Sequence, residues 1–128
     1  MRIWLSHVFV EDQAKALEFY TRILGFVKKA DEPVGKFRWL TVVSSDDQSG
    51  AELLLEPNEN PASQAFQAAI YSQGIPATMF QVKDLEAEVA RLKASGAKFT
   101  REVTKMSGYS IAVLDDTCGN LIQLAQFE

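Results

Sequence analysis

The chain repeats itself. Val10-Glu11-Asp12 and Val82-Lys83-Asp84 each open a stretch of helical apolar spacing, and the two aspartates stand 72 positions apart. The spaced residues are Leu17, Tyr20 and Leu24 in the first copy, and Leu85, Val89 and Leu92 in the second. Intervals of three and four place such residues on one face of a helix. Each aspartate suits an N-cap, because a short carboxylate accepts the free N–H groups of a first turn. Glu86 and Glu88 favour the positive end of the second helix. Both stretches then reach a glycine, Gly25 and Gly96, the residue that adopts the left-handed turn ending a helix.

Strand-like runs follow in the same order twice. The first copy gives residues 26–29, 37–43 and 51–56; the second gives 98–101, 109–114 and 120–125. A polar turn precedes the last run each time, and its glycines, Gly50 and Gly119, stand 69 apart. A unit repeated with such offsets is one supersecondary plan used twice. Each copy reads β-α-β-β-β. The predicted organisation is a first module over residues 1–58, a linker helix over 59–74 and a second module over 75–128, together a single domain of α+β class. Asn60 followed by Pro61 marks the start of that linker helix, since proline at the first helical position forfeits no hydrogen bond.

Bulk composition narrows the function. Of 128 residues, 13 are basic and 17 acidic, giving a net charge of −4. Phosphate backbones and anionic membranes demand clustered Lys and Arg, and Lys28-Lys29 is the one adjacent basic pair. Neither nucleic acid nor membrane is an expected partner. A single cysteine, Cys118, has no internal disulfide partner, which suits a reducing compartment. Trp4, Ser6 and His7 interrupt the apolar N-terminal stretch, and no run approaches the roughly 18 apolar residues of a membrane span. A cytoplasmic location is expected.

The run His7-Val8-Phe9-Val10-Glu11-Asp12, followed by Ala16-Leu17-Glu18-Phe19-Tyr20 and Ile23-Leu24-Gly25-Phe26, resembles the opening of proteins of the glyoxalase / bleomycin resistance / extradiol dioxygenase (vicinal oxygen chelate) superfamily. The ending Asp115-Asp116-Thr117-Cys118-Gly119-Asn120-Leu121-Ile122-Gln123-Leu124 resembles the same family, in particular small bacterial members of undefined function. The resemblance implies two βαβββ modules forming curved mixed sheets, with each helix on the convex side and the concave faces around a cleft. It also implies completion of the cleft in a homodimer, and, in metal-using members, ligands from the first and last strand of each module.

In those members a first-strand ligand precedes the capping aspartate by seven residues, and a last-strand ligand follows the turn glycine by four. Carried onto this chain, the positions are Leu5, Leu54, Ala77 and Gln123. Divalent cations take imidazole, carboxylate or thiolate, and this set supplies one neutral amide. No cofactor is expected; a metal site displaced onto His7 with Glu52 or Glu56 is the less favoured alternative.

Strand alternation collects Leu5, His7, Phe9, Glu52, Leu54, Glu56, Ala77, Met79, Gln81, Leu121 and Gln123 on the concave faces. Apolar walls with a few orienting polar groups suit a small-molecule pocket. His7 is the single histidine, and histidine titrates near neutrality. With Glu52 or Glu56 it could act as acid or base; otherwise it is a hydrogen-bonded strand residue. Glu52, inside the run Leu53-Leu54-Leu55, needs a partner, for which His7 or Arg38 would serve. Phe9, Arg38, Trp39, Glu56, Met79, Gln81, Tyr109 and Gln123 are the candidate ligand-binding residues, with Phe37, Trp39 and Tyr109 either stacking on a planar molecule or filling the core. Met106 reads as core, and Cys118 as structural, since no basic neighbour activates it. The segment Lys105–Tyr109 is either a lid or a strand connection.

The expected activity is binding of a small apolar or aromatic molecule. The alternative is a lyase, isomerase or dioxygenase-type enzyme using His7 with one of the glutamates. A third reading is a dimeric module that binds another protein.

Overall fold

The computed structural model describes residues 1–128. It is α+β, with eight strands and three α-helices. Contacts divide it into two compact units, Met1–Ala65 and Phe66–Glu128.

The first unit runs β1 (Leu5–Val10), α1 (Gln13–Glu18), β2 (Val27–Val34), β3 (Phe37–Val43) and β4 (Glu52–Pro57). Its sheet has the order β1-β4-β3-β2; β1 and β4 are parallel and the other pairs antiparallel. The second unit runs β5 (Thr78–Gln81), α3 (Leu85–Ala94), β6 (Lys98–Lys105), β7 (Tyr109–Asp115) and β8 (Leu121–Phe127), in the equivalent order β5-β8-β7-β6. α2 (Pro61–Ser72) joins them, its first turn capped by Asn60 Oδ1 accepting from Ala62 N at 2.9 Å.

Helix starts and stops follow the sequence signals. Asp12 Oδ1 accepts from Lys15 N at 3.0 Å and Asp84 Oδ1 from Ala87 N at 3.1 Å. Gly25 and Gly96 have φ of +92° and +94°, a conformation that costs a side-chain-bearing residue about 1–2 kcal/mol. Between these signals the first helix departs from expectation. It passes into a π-helical turn over Phe19–Ile23, with Leu24 N reaching Phe19 O at 3.0 Å. The wider turn lets the consecutive residues Phe19 and Tyr20 both enter the core, whereas Leu24, expected on the apolar stripe, is only half-buried.

Each sheet buries one face under its helix. In the first unit Val8, Val10, Leu40, Val42 and Leu55 are buried with Ala16, Phe19 and Tyr20. In the second, Ala112, Leu114, Ile122 and Leu124 are buried with Leu85, Val89 and Leu92. Burying each aliphatic side chain contributes about 1.5–3 kcal/mol, so these two cores dominate stability.

β2 and β6 run further than their sequence signals. β2 contains Glu32 and Pro33, which argue against a central strand, yet β2 lies at the sheet edge, where a missing N–H breaks no ladder bond. Register shifts between Lys28 and Ala30, and on either side of Arg101, hide both strands from a simple alternation test. The segment before Tyr109 is a strand connection: Met106 N bonds Tyr109 O at 2.8 Å and Gly108 takes φ +84°.

The two units differ where β3 meets β4. Their register holds only at Thr41 with Leu54 and Val42 with Leu53, whereas β7 and β8 pair continuously from Tyr109 to Asp115. Gln13 occupies the splay. Its Nε2 donates to Arg38 O (2.7 Å) and Leu55 O (2.9 Å), and its Oε1 accepts from Arg38 N (3.0 Å). The equivalent residue of the second unit is Leu85, buried and apolar.

Candidate functional site

Alternation leaves each sheet a second face, away from its helix. In the first unit the β1/β4 register pairs Leu5 with Glu52, His7 with Leu54 and Phe9 with Glu56, so all six share that helix-free face. Thr41 sits beside Leu54, and Phe37, Trp39 and Val43 share its side of β3. In the second unit Met79 pairs with Gln123, Gln81 with Ala125 and Tyr109 with Phe127, again on one side.

Of the two carboxylates open to His7, Glu56 takes it. His7 Nδ1 lies 2.8 Å from Glu56 Oε2, with the side chains 48% and 41% exposed. The His7 ring also meets Phe9 edge-on, centroids 5.0 Å apart. Glu56 fixes the imidazole through Nδ1, which leaves Nε2 as the nitrogen available to a ligand. A polar contact this exposed contributes about 0–1 kcal/mol, so the fold does not depend on it.

Glu52 has other partners. Trp4 Nε1 donates to its Oε2 at 2.7 Å and Thr41 Oγ1 donates to its Oε1 at 2.9 Å. The indole bond, followed by the hydroxyl, holds this carboxyl below the ordinary glutamate range against a desolvation that acts the other way, and Lys29 and Arg2 add a longer-range pull. Thr41 is fully buried and also accepts from Ala30 N at the β2 register shift (3.2 Å). The Trp4 ring, half exposed, reaches Trp39, with centroids 6.3 Å apart and planes tilted by 36°. Two indoles, a carboxylate and an imidazole thus lie on one face.

Arg38 does not join them. The sequence offers it as a ligand-binding residue and as one of two possible partners for Glu52, but its guanidinium is held by Asp31 through Nε (2.9 Å) and Nη2 (2.7 Å). Alternation puts Arg38 with Leu40 and Val42, on the helix side. That bidentate pair, with Lys28, keeps the Asp31 carboxyl far below its usual range.

In the second unit Gln123 Nε2 donates to Met79 Sδ at 2.9 Å, and Tyr109 and Phe127 pack with centroids 6.1 Å apart. Met79 is 62% exposed. By register Asp115, with Lys98 across from it, and Arg101 fall on the same side.

Several residues escaped the sequence reading. Trp4 precedes β1, and strand alternation carries no information about a side chain outside a strand. Gln13 was visible only as the polar counterpart of Leu85 at the 72-residue offset. The Asp115–Asn120 turn holds a buried network: the fully buried Asp116 accepts from Cys118 N, Asn120 N and Asn120 Nδ2 at 2.7–2.9 Å. Gln67 of α2 closes it, donating to Asn120 Oδ1 (3.1 Å) and Cys118 O (3.2 Å). Cys118 is buried within that turn.

The duplicated βαβββ plan is matched along residues 4–124 by the family model described as Glyoxalase/Bleomycin resistance protein/Dioxygenase superfamily. The chain belongs to this superfamily. Within it, the chain is 60% identical over 98% of its length to YurT of Bacillus subtilis (strain 168), an uncharacterized protein of which 99% is covered. The solved structure of UcmS2 matches with a TM-score of 0.84 at 30% identity, covering 98% of this chain and 97% of the other. That of TnmS3, an antibiotic binding protein from Streptomyces sp. CB03234, matches with a TM-score of 0.79 at 26% identity, covering 100% and 97%.

The superfamily includes metal-using members, and the donor set here does not fit a metal. Leu5, Leu54 and Ala77 present hydrocarbon, and the Gln123 amide faces a thioether. No group of three His, Cys, Asp or Glu side chains is placed to hold a metal ion. The displaced alternative gathers only His7 and Glu56, because Glu52 is committed to Trp4 and Thr41.

Proposed function

We propose that this glyoxalase-superfamily protein binds a small apolar or aromatic molecule without transforming it. The observation that carries the reading is the Trp4–Trp39 pair on the helix-free face of the first sheet, beside Phe9 and the polar groups of His7, Glu52 and Glu56. Indoles present large rigid apolar surfaces, and a few fixed polar groups orient what rests on them. Likeness to an antibiotic binding protein at 26% identity supports the same class of activity. Met79, Gln81, Tyr109 and Gln123 are proposed as ligand-binding residues on the helix-free face of the second unit's own sheet.

Thermal-shift screening with aromatic metabolites and antibiotics, followed by tryptophan-emission titration, tests this. A stabilising molecule recovered unchanged, whose binding is weakened by Trp39→Ala, is the expected result. Absence of any such molecule, or its conversion to product, overturns it.

The second reading is an acid–base lyase or isomerase, favoured by the His7 Nδ1–Glu56 contact of 2.8 Å. A histidine oriented by a carboxylate through one nitrogen has the other free for proton transfer. Product formation from a bound molecule, abolished in His7→Ala, would select it.

A homodimer is proposed as the working state, because β1 and β2, and likewise β5 and β6, stand at sheet edges, and a second chain is a common cover for such edges. A monomer in light scattering at micromolar concentration counts against this. No helix is long and apolar enough to cross a membrane. A cytoplasmic location is proposed from the single cysteine; fractionation of cells expressing the tagged chain checks it.

A further inference from the structure

The helix-free face of the first sheet has a charge character that its aromatic content alone does not require. Its register-paired positions carry Glu32, Glu52 and Glu56, and the one lysine beside them, Lys29, falls in the β2 register shift. Glu32 stands directly across from Trp39 on β2. Glu52 sits at the N–H edge of the other indole, accepting from Trp4 Nε1 at 2.7 Å. That bond has two effects. It occupies the one donor an indole owns, so Trp4 offers a ligand only its π face. It also sets a negative charge at the ring edge, which adds to the negative potential the ring already has over its face.

The nearest cations offset part of this charge without forming an ion pair with Glu52. Lys29 and Arg2 act on Glu52 only through space, and the Lys29 ammonium is bonded to Gln48 O at 3.0 Å. Glu56 is engaged by His7 Nδ1 at 2.8 Å.

We infer that this face selects planar aromatic cations, with Trp4 and Trp39 stacking on the ring and Glu52 and Glu32 supplying the counter-charge. The inference rests on the small-molecule reading above and adds the charge of the ligand. An anionic aromatic meets repulsion from the carboxylates, and a neutral one gains stacking alone.

Three two-ring probes of matched size separate the cases: 1-methylquinolinium, 2-naphthylmethanol and 2-naphthoate. Calorimetry and the indole N–H resonances of the full chain report binding. The expected order is cation, neutral, anion, with the cation about tenfold tighter than the neutral probe, as a partly desolvated cation–π contact implies. Glu52→Gln retains an acceptor for Trp4 and removes the charge. It should weaken the cation about three- to tenfold and leave the neutral probe within about twofold. Glu32→Gln, at an exposed position, should act in the same direction and guards against a folding defect in the first variant.

Equal binding of all three probes, or equal loss of all three in Glu52→Gln, overturns the charge selection while leaving the small-molecule reading standing. Binding of none of the three, with no stabilising molecule in the wider screen, overturns both.

Discussion

The indole of Trp4 is bonded to the carboxylate of Glu52 at 2.7 Å across 48 residues of sequence. The bond ties the segment before β1 to the first residue of β4, where Glu52 N also donates to Trp4 O at 3.0 Å. A tryptophan outside the strands is thereby fixed against a tryptophan within one.

Glu52 should make stability fall in acid. Its folded pKa lies below the ordinary glutamate value of 4.5, so its contribution is fully present above that value and lost as pH falls through the lower folded one. Glu52→Gln should therefore be less stable than the parent at pH 7. The gap should narrow below about pH 4.5, when measured by urea unfolding across a pH series.

His7→Ala should barely move the unfolding midpoint, because the His7–Glu56 pair is nearly half exposed. A change within about 1 kcal/mol is expected. The same variant should alter affinity for a bound aromatic molecule, read by calorimetry, if the imidazole lines the site. A large loss of stability would instead make His7 structural.

Gln13→Leu should destabilise the first unit, although leucine is what the second unit carries at the equivalent position. The substitution strands Arg38 N, Arg38 O and Leu55 O, which have only Gln13 as a bridge between the splayed strands. Leaving the buried Leu55 O unpaired costs about 1–3 kcal/mol and the part-buried Arg38 groups add less, so a loss of roughly 2–4 kcal/mol by chemical unfolding is expected.

Asp116→Ala should be among the costliest single changes, at roughly 3–5 kcal/mol. It removes a fully buried carboxylate that accepts three hydrogen bonds in the β7–β8 turn. The neighbouring Thr117 has φ +61° with an exposed side chain, a costly conformation for a β-branched residue. Thr117→Asn should accordingly raise stability by about 0.5–1 kcal/mol, visible as a higher Tm.

What was legible beforehand was local or periodic. Asp12 and Asp84 cap their helices, Gly25 and Gly96 end the helical segments, and Asn60-Pro61 starts the linker helix, because caps and turns depend on neighbours within a few residues. β2 was underestimated because its register shift and Pro33 break the period-two signal, and only its place at the sheet edge makes them tolerable.

The sequence by itself determined the duplicated βαβββ plan, which residues of β1 and β4 share a sheet face, and the hydrocarbon at Leu5, Leu54 and Ala77. All of these follow from chain-local spacing and strand parity. The tertiary structure alone decided which glutamate takes His7, that Arg38 turns to Asp31 on the helix side, and that Trp4 lies against Trp39. These are choices between partners tens of residues apart that share compatible chemistry. Parity leaves both glutamates on His7's face, and only register and competing donors separate them. Glu56 comes within 2.8 Å of the imidazole, while Trp4 and Thr41 have claimed Glu52.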